Sequence, residues 1–464
     1  MLARVVSGAI LGVDAFLVDV EVDIANGLPA MNVVGLPEGA VREGRERVSA
    51  AVNNTGFKIP PRRITINLAP ADVKKDGSAF DLPIAIGILT ATEDVPACAR
   101  TCFLGELGLD GELRPVRGIL SVAIRCRAEQ LGRLIVPAAN AREAAVIEGV
   151  EVCGAKTLSE VVDWLRGRVS PRVVRVSGAE LAGAERPSLD LDYADVKGQE
   201  HARRAIEVAA AGQHNLLLIG PPGAGKSMLA RRIPSILPPL SFAESLEVTR
   251  IHSVAGRLRP GQALVLSRPF RAPHHTISDA GLVGGGSTPR PGEVSLAHHG
   301  VLFLDELPEF RRHVLDALRQ PLEDGVVQIG RARQVVSYPA QFMLAAAMNP
   351  CPCGFFGTAQ SACTCALHQV LRYMARISGP LFDRIDLQVM VPAVSARELT
   401  ARGSGESSAA IRARVEAARM RQLERFCNRN GVFANAHMSA RDVRELCAVE
   451  DRGVELLRAA IQKL

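Results

Sequence analysis

The sequence predicts an α/β phosphate-binding fold, on the strength of two segments and the apolar run in front of each. The first run, Asn215-Leu-Leu-Leu-Ile219, reads as a buried strand. It is followed by Gly220, Pro221, Pro222, Gly223, Ala224, Gly225, Lys226 and Ser227, and then by the helix-compatible Met228-Leu-Ala-Arg-Arg. Strand, glycine loop and helix in that order are the context a phosphate-binding loop requires. Glycines let backbone N–H groups turn toward phosphate oxygens, and the helix N-terminus adds favourable partial charge. Lys226 is placed to reach the β- and γ-phosphates and Ser227 to ligate Mg²⁺. The second segment, Val301-Leu-Phe-Leu-Asp305-Glu306, is a buried strand ending in two carboxylates. Asp305 is suited to hold the metal and Glu306 to polarise an attacking water. Together these residues imply an ATPase that works with ATP and Mg²⁺.

Composition narrows the class. The 464 residues allow two to four domains and an ample core. Apolar residues make up 47% and charged residues 22%, ordinary for a globular protein. One Trp and three Tyr argue against aromatic stacking platforms for single strands. A net charge of +6 is compatible with a polyanion partner without demanding one. The apolar start Val5–Val13 is interrupted by Asp14 and continues as strand-like alternation, so it is not read as a signal segment. No run is long enough for a transmembrane helix, and no membrane partner is expected. Ten cysteines without an extracellular spacing pattern point to a reducing, cytoplasmic location.

Residues 1–166 alternate short strands with helices: Arg63-Ile-Thr-Ile-Asn-Leu68 has period two, and Val41–Val52 has helical spacing. Residues 167–187 turn to Arg, Ser, Gly and Pro and read as a linker. Residues 188–394 form the nucleotide-binding domain, with a Cys-rich insertion at 350–366, and residues 395–464 a helical segment. Val196-Lys-Gly198-Gln199 is expected near the adenine. A helix is expected from Glu309 to Leu322, and then a β-hairpin whose tip carries Arg331 and Arg333. The strand Met343–Met348 ends in Asn349, a polar group beside the γ-phosphate that can orient water. Arg384, in Phe382-Asp383-Arg384-Ile-Asp386, can enter a neighbouring subunit's site; a pair with Asp383 or Asp386 is the alternative.

The order of these motifs resembles an AAA+ ATPase. With Arg268-Pro-Phe-Arg271-Ala-Pro-His274-His275-Thr276, Gly284-Gly285-Gly286 and Asn349-Pro-Cys-Pro-Cys-Gly354, it is similar to the magnesium-chelatase-like YifB/ComM family over nearly the whole chain. The resemblance implies a P-loop AAA+ domain with a helix-2 insert and a helical lid. It also implies homo-oligomeric rings, hexamers, and DNA branch migration on recombination intermediates. The partner would be DNA, branched or single-stranded, gripped without sequence preference by Gly284–Gly286 of the insert and by Arg331 and Arg333. His274 and His275 fit either a structural turn or a role linked to nucleotide or DNA.

Cys351, Cys353, Cys363 and Cys365 form C-x-C-x₉-C-x-C, a set suited to structural Zn²⁺, with reduced thiols or a disulfide as alternatives. The other six cysteines are expected in core packing. Residues 73–81 and 105–119 resemble the Lon-protease (S5-like) α+β fold, but Ala79 and Leu120 stand where that family has its Ser and Lys. The dyad chemistry is therefore lost, and Ser78 is one place off register. The basic helix after residue 401 reads as a solvated or DNA-facing surface. The family pattern continues beyond Leu464 with an arginine segment of the lid, so the lid is expected to be truncated. A chelatase-type motor remodelling a protein partner is the second reading, a protein-unfolding protease, disfavoured by Ala79 and Leu120, the third, and a nucleotide-dependent assembly module the fourth.

Overall fold

A computed structural model describes the chain except residues 37, 38, 74, 76, 178, 179, 181–190, 287, 288, 332, 333, 359, 360, 396, 397, 399, 401–404, 428, 430, 431 and 464, and the side chains of 40, 42, 331 and 334. Alternating apolar residues build the first sheet. Val18, Val20 and Val22 are fully buried on one face of the strand Asp14–Ala25, which pairs antiparallel with Leu2–Leu11 from Leu2↔Asp23 to Leu11↔Asp14. Eight strands follow in the order Val173–Val174, Glu151–Ala155, Arg133–Pro137, Thr101–Phe103, Leu2–Leu11, Asp14–Ala25, Arg63–Ala69 and Ala30–Val34. The apolar helix Asp81–Ala91 is buried in this domain's core. Val173 and Val174 pair with Cys153 and Val152, so the first sheet reaches into the stretch expected to be linker. Residues 178, 179 and 181–187 of that stretch lie outside the described residues.

The second sheet positions the site. Its five strands run Phe270–Arg271, Val301–Leu304, Met343–Met348, Leu216–Ile219 and Leu387–Met390, and every neighbouring pair is parallel. Parallel strands covered on both faces are read in sequence as unbroken apolar runs, and Val301–Leu304 and Met343–Met348 are buried throughout. Because the strands are parallel, their carboxyl ends lie on one edge, where ligands collect in open α/β sheets. Gly220, Asp305 and Asn349 each follow such an end.

The expected helix Glu309–Leu322 is instead a short turn, Leu307–Glu309, and two helices, Arg312–Asp316 and Arg319–Asp324. Phe310 and Arg311 are extended, which delays the helix start. Helix Ser408–Arg425 buries Ile411 and Val415 against Ala209, Ala210, Ile233 and Ile236. Its arginines are largely engaged inside the chain: Arg414 with Glu207 and Glu406, Arg412 on Ser235 O, and Arg419 on Ala210 O and Phe433 O. That engagement removes much of the open basic face the sequence suggested. Cys102, Cys126 and Cys153 are buried, but Cys427 and Cys447 are exposed, so core packing does not account for all six other cysteines.

The two sheets share a packed junction. The turn at Gly12 carries Val13 into the apolar cluster of the second domain, beside Val336 of the hairpin. Arg250, on helix Phe242–Val254, donates to Val13 O at 3.1 Å and to Asp14 Oδ1 at 2.5 Å. Ser253 of the same helix donates to the buried Glu143, whose pKa burial raises. Among the described residues no helix is long and apolar enough to cross a membrane.

Candidate nucleotide-binding site

The glycine loop closes over the edge of the second sheet. Gly220 N donates to Met348 O at 3.2 Å, and Val391 N to Ile219 O at 2.7 Å. A Cβ on Gly220 would lie 2.1 Å from Val391 O, so only glycine passes between these strands. Gly225 precedes the helix Lys226–Arg231. The buried Lys226 Nζ donates to Gly220 O (2.8 Å), Pro221 O (2.9 Å) and Asn349 Oδ1 (3.0 Å). Burial lowers its pKa, while the charges of Asp305 and Glu306 pull the other way. Ser227 Oγ donates to Asp305 Oδ2 at 2.6 Å. A hydroxyl and a carboxylate at that separation are the oxygen pair a hard cation such as Mg²⁺ takes, so the residues fit the metal. Gln199 donates to Ala224 O at 3.2 Å and to Pro392 O at 2.5 Å, which seats the Val196–Gln199 segment against the loop.

Glu306 has a left-handed backbone, φ 53°, and its N–H donates to Asp305 Oδ1 at 3.0 Å. That turn sends the two neighbouring carboxylates in different directions. Asn349, at the end of the adjacent strand, joins the same group through Lys226. Thus Lys226, Ser227, Asp305 and Asn349, drawn from three strand ends, meet through direct hydrogen bonds, with Glu306 adjoining Asp305.

The rest of the chain points the same way. Three family models match: magnesium chelatase, subunit ChlI, over residues 192–399; subunit ChlI of Mg-chelatase over 20–140; and its C-terminal domain over 405–464. Competence protein ComM of Haemophilus influenzae is 44% identical over 471 residues, covering 100% of this chain and 90% of its own. This chain belongs to the YifB/ComM family of magnesium-chelatase-like proteins. YifB of Escherichia coli, itself uncharacterized, is 44% identical over 457 residues, 98% of this chain and 87% of its own. DNA repair protein RadA of Bacillus subtilis is 37% identical over 90 residues, 19% of this chain. As a member of the YifB/ComM family, the chain is an AAA+-type ATPase.

Other predicted residues of this family member fall elsewhere. Arg384 O accepts from Asn215, at the amino end of the strand whose other end carries the glycine loop, and its guanidinium bonds Glu323 rather than Asp383 or Asp386. Gly284 and Gly285 form a short antiparallel pair with Arg290 and Pro291, and Gly286 continues it with φ 106°. The basic hairpin forms from Val326–Arg331 and Gln334–Pro339. Its Arg331 side chain and Arg333 lie outside the described residues. Ala79 and Leu120 belong to one apolar cluster, and Ser78 donates to Glu106.

The four thiols converge. Sγ atoms of Cys351, Cys353 and Cys363 are 3.3, 3.6 and 3.7 Å apart, and all four lie within 4.8 Å of one another. A tetrahedron with Zn–S bonds of about 2.3 Å has edges of ~3.8 Å, close to this spacing. Backbone N–H groups of Phe356 and Cys353 donate to the sulfurs of Cys351 and Cys365, as thiolate ligands require. The residues fit Zn²⁺. The turn between them rests on the phosphate loop, since Gly354, with φ 88°, lies where a Cβ would be 2.5 Å from Pro222 Cδ.

Some polar groups had no signal in the sequence. Glu247, His298 and His299 form a knot with 3.0 and 2.9 Å bonds to Glu247 Oε2. The set resembles a metal site, but Gln341 N–H donates to His298 Nδ1 at 3.0 Å. The proton must then sit on Nε2, which donates to Glu247 and offers no lone pair to a cation. His274 Nδ1 bonds the hydroxyl of its neighbour Thr276 at 3.0 Å, as a structural turn would, whereas His275 faces Glu306. Partners so distant in sequence are unreadable until the chain folds.

Proposed function

We propose that this protein is an ATP-driven, ring-forming DNA motor that moves branched or single-stranded recombination intermediates without sequence preference. The observation that carries the reading is the convergence of Lys226, Ser227, Asp305, Glu306 and Asn349 at the carboxyl edge of the second sheet, in a domain whose glycine hairpin lies against Ile329 of the basic hairpin. The name of the competence protein ComM, identical at 44% of positions over this whole chain, supports the DNA partner. The short likeness to a DNA repair protein supports it further.

In this reading Lys226 binds the β- and γ-phosphates, and Ser227 and Asp305 would hold Mg²⁺, which supplies charge neutralisation on the phosphates. Glu306 accepts a proton from the attacking water and Asn349 orients it. Arg384 serves a neighbouring protomer of a hexameric ring. Its pair with Glu323 is half-exposed and holds it by less than about 1 kcal/mol, so it can be redirected. Cys351, Cys353, Cys363 and Cys365 would hold Zn²⁺ as a brace behind the phosphate loop. The first domain, which resembles the Lon fold without its dyad, is a collar. The descriptions of the matched models favour one second reading, a chelatase-type motor that remodels a protein partner.

The test is ATP turnover with and without branched and single-stranded DNA. The DNA reading expects stimulation that Arg331→Ala/Arg333→Ala removes. Indifference to every DNA form overturns it in favour of the protein-remodelling motor.

A further inference from the structure

The turn Leu307–Glu309 sets where Glu306 can point. Glu306 has a left-handed backbone, φ 53°, which costs any residue but glycine free energy and has to be held by its surroundings. On the strand side the buried run Val301–Leu304 holds it. On the other side Glu309 N–H donates to Glu306 O at 2.8 Å, and Leu307 and Phe310 are buried in the core. The outer half of the turn is gripped by Arg376. Its Nη1 donates to Pro308 O at 3.1 Å and to Glu309 Oε2 at 2.9 Å.

Arg376 is aimed at the turn by what surrounds it. It follows the helix Leu367–Met374, and its guanidinium lies over the ring of Tyr373, 5.9 Å from the centroid. Tyr373 and Ile377, on either side of it in sequence, are buried in the same apolar cluster as Leu307, Phe310 and Met348. Just beyond, Ser378 Oγ donates to Asp316 Oδ1 at 2.7 Å. Burial pushes the Tyr373 phenol up to about 12; the charge of Glu309 adds to the rise and the backbone of Asn349 opposes it. The ring thus stands between the turn after Glu306 and the end of the adjacent strand. The chain leaves the site at Asn349, forms the cysteine turn against Pro222, and returns through this helix to the residues after Glu306.

We infer that Arg376 is a positioning residue: by fixing Pro308 and Glu309 it holds the Glu306 carboxylate toward the attacking water. The inference rests on the reading of Glu306 as proton acceptor and extends it to a residue that acts only through the turn. Loss of the grip lets the strained turn relax and the carboxylate swing away, while the phosphate contacts of Lys226 and Ser227 stay as they are.

Steady-state ATP hydrolysis by the full chain without DNA tests it, with a thermal melt of each protein. Arg376→Ala is expected to lower kcat about fivefold, the order of one half-exposed ionic contact. KM for ATP should be unchanged and Tm within about 2 °C of the parent. Arg376→Lys, whose ammonium can still donate to the turn, should recover most of the rate. Glu309→Ala should lose less, because Pro308 O is still bound, and Arg376→Ala/Glu309→Ala should lose no more than Arg376→Ala alone. An Arg376→Ala protein with parental kcat, or with KM or Tm shifted instead, overturns the inference, and so does a double variant whose losses multiply. Glu306→Gln, run beside them, separates the two readings. Normal turnover there overturns the assignment of Glu306 and the inference with it, whereas lost turnover beside an unaffected Arg376→Ala overturns the positioning role alone.

Discussion

Lys226→Ala tests the centre of the site. The ammonium makes three bonds of 2.8–3.0 Å to Gly220 O, Pro221 O and Asn349 Oδ1, and phosphate oxygens compete for the same three protons. Hydrogen bonds to a charged group contribute about 1.5–3 kcal/mol each, so binding energy comes from the difference between phosphate and these internal acceptors. A surplus of one to two such bonds is about 3 kcal/mol, on the order of a hundredfold in Kd. Folding stability should change little, because removing a desolvated ammonium offsets the lost bonds. Titration with a fluorescent ATP analogue, paired with a thermal melt, reads both quantities. Affinity within about threefold of the parent at an unchanged Tm would refute the assignment of Lys226 to phosphate binding.

Two further outcomes are expected. Purified under reducing conditions without chelator, the protein should carry about one zinc per chain. Cys363→Ser/Cys365→Ser should lose it and, through the Gly354–Pro222 contact, weaken ATP binding by ~1 kcal/mol, read by metal analysis and nucleotide titration. No zinc in such a preparation removes the site. Acid should weaken the Glu247–His298–His299 knot. Burial lowers the His298 pKa from 6.5 to about 4, so between these values the unfolded chain binds a proton that the folded chain refuses. Bonds from His298 and His299 also depress the Glu247 pKa, and that contribution is lost in acid as well. Stability should therefore fall by about 1.5 kcal/mol from pH 6.5 to 5, measured by urea unfolding, and His298→Gln should flatten the dependence. An equal slope in both proteins contradicts it.

Much of the candidate site was legible because its determinants are local. Gly220–Ser227 and Val301–Glu306 are contiguous runs in which strand, turn and side chain are specified together. Their apolar strands are parallel and buried, so the carboxyl ends had to share an edge. The helix after Glu306 was misjudged because the extended Phe310 and Arg311 interrupt a pattern that periodicity alone continues.

What the sequence determined by itself was an α/β chain with a glycine loop between strand and helix, a carboxylate pair and four closely spaced thiols. Only the tertiary structure decided which partners meet: Glu323 with Arg384, His275 with Glu306, Pro222 with the cysteine turn, and Val13 with the hairpin. The physical reason is range. Backbone preference and apolar period act over a few residues, whereas these contacts join segments tens or hundreds of residues apart, and a side chain carries no mark of its partner until packing brings the two together.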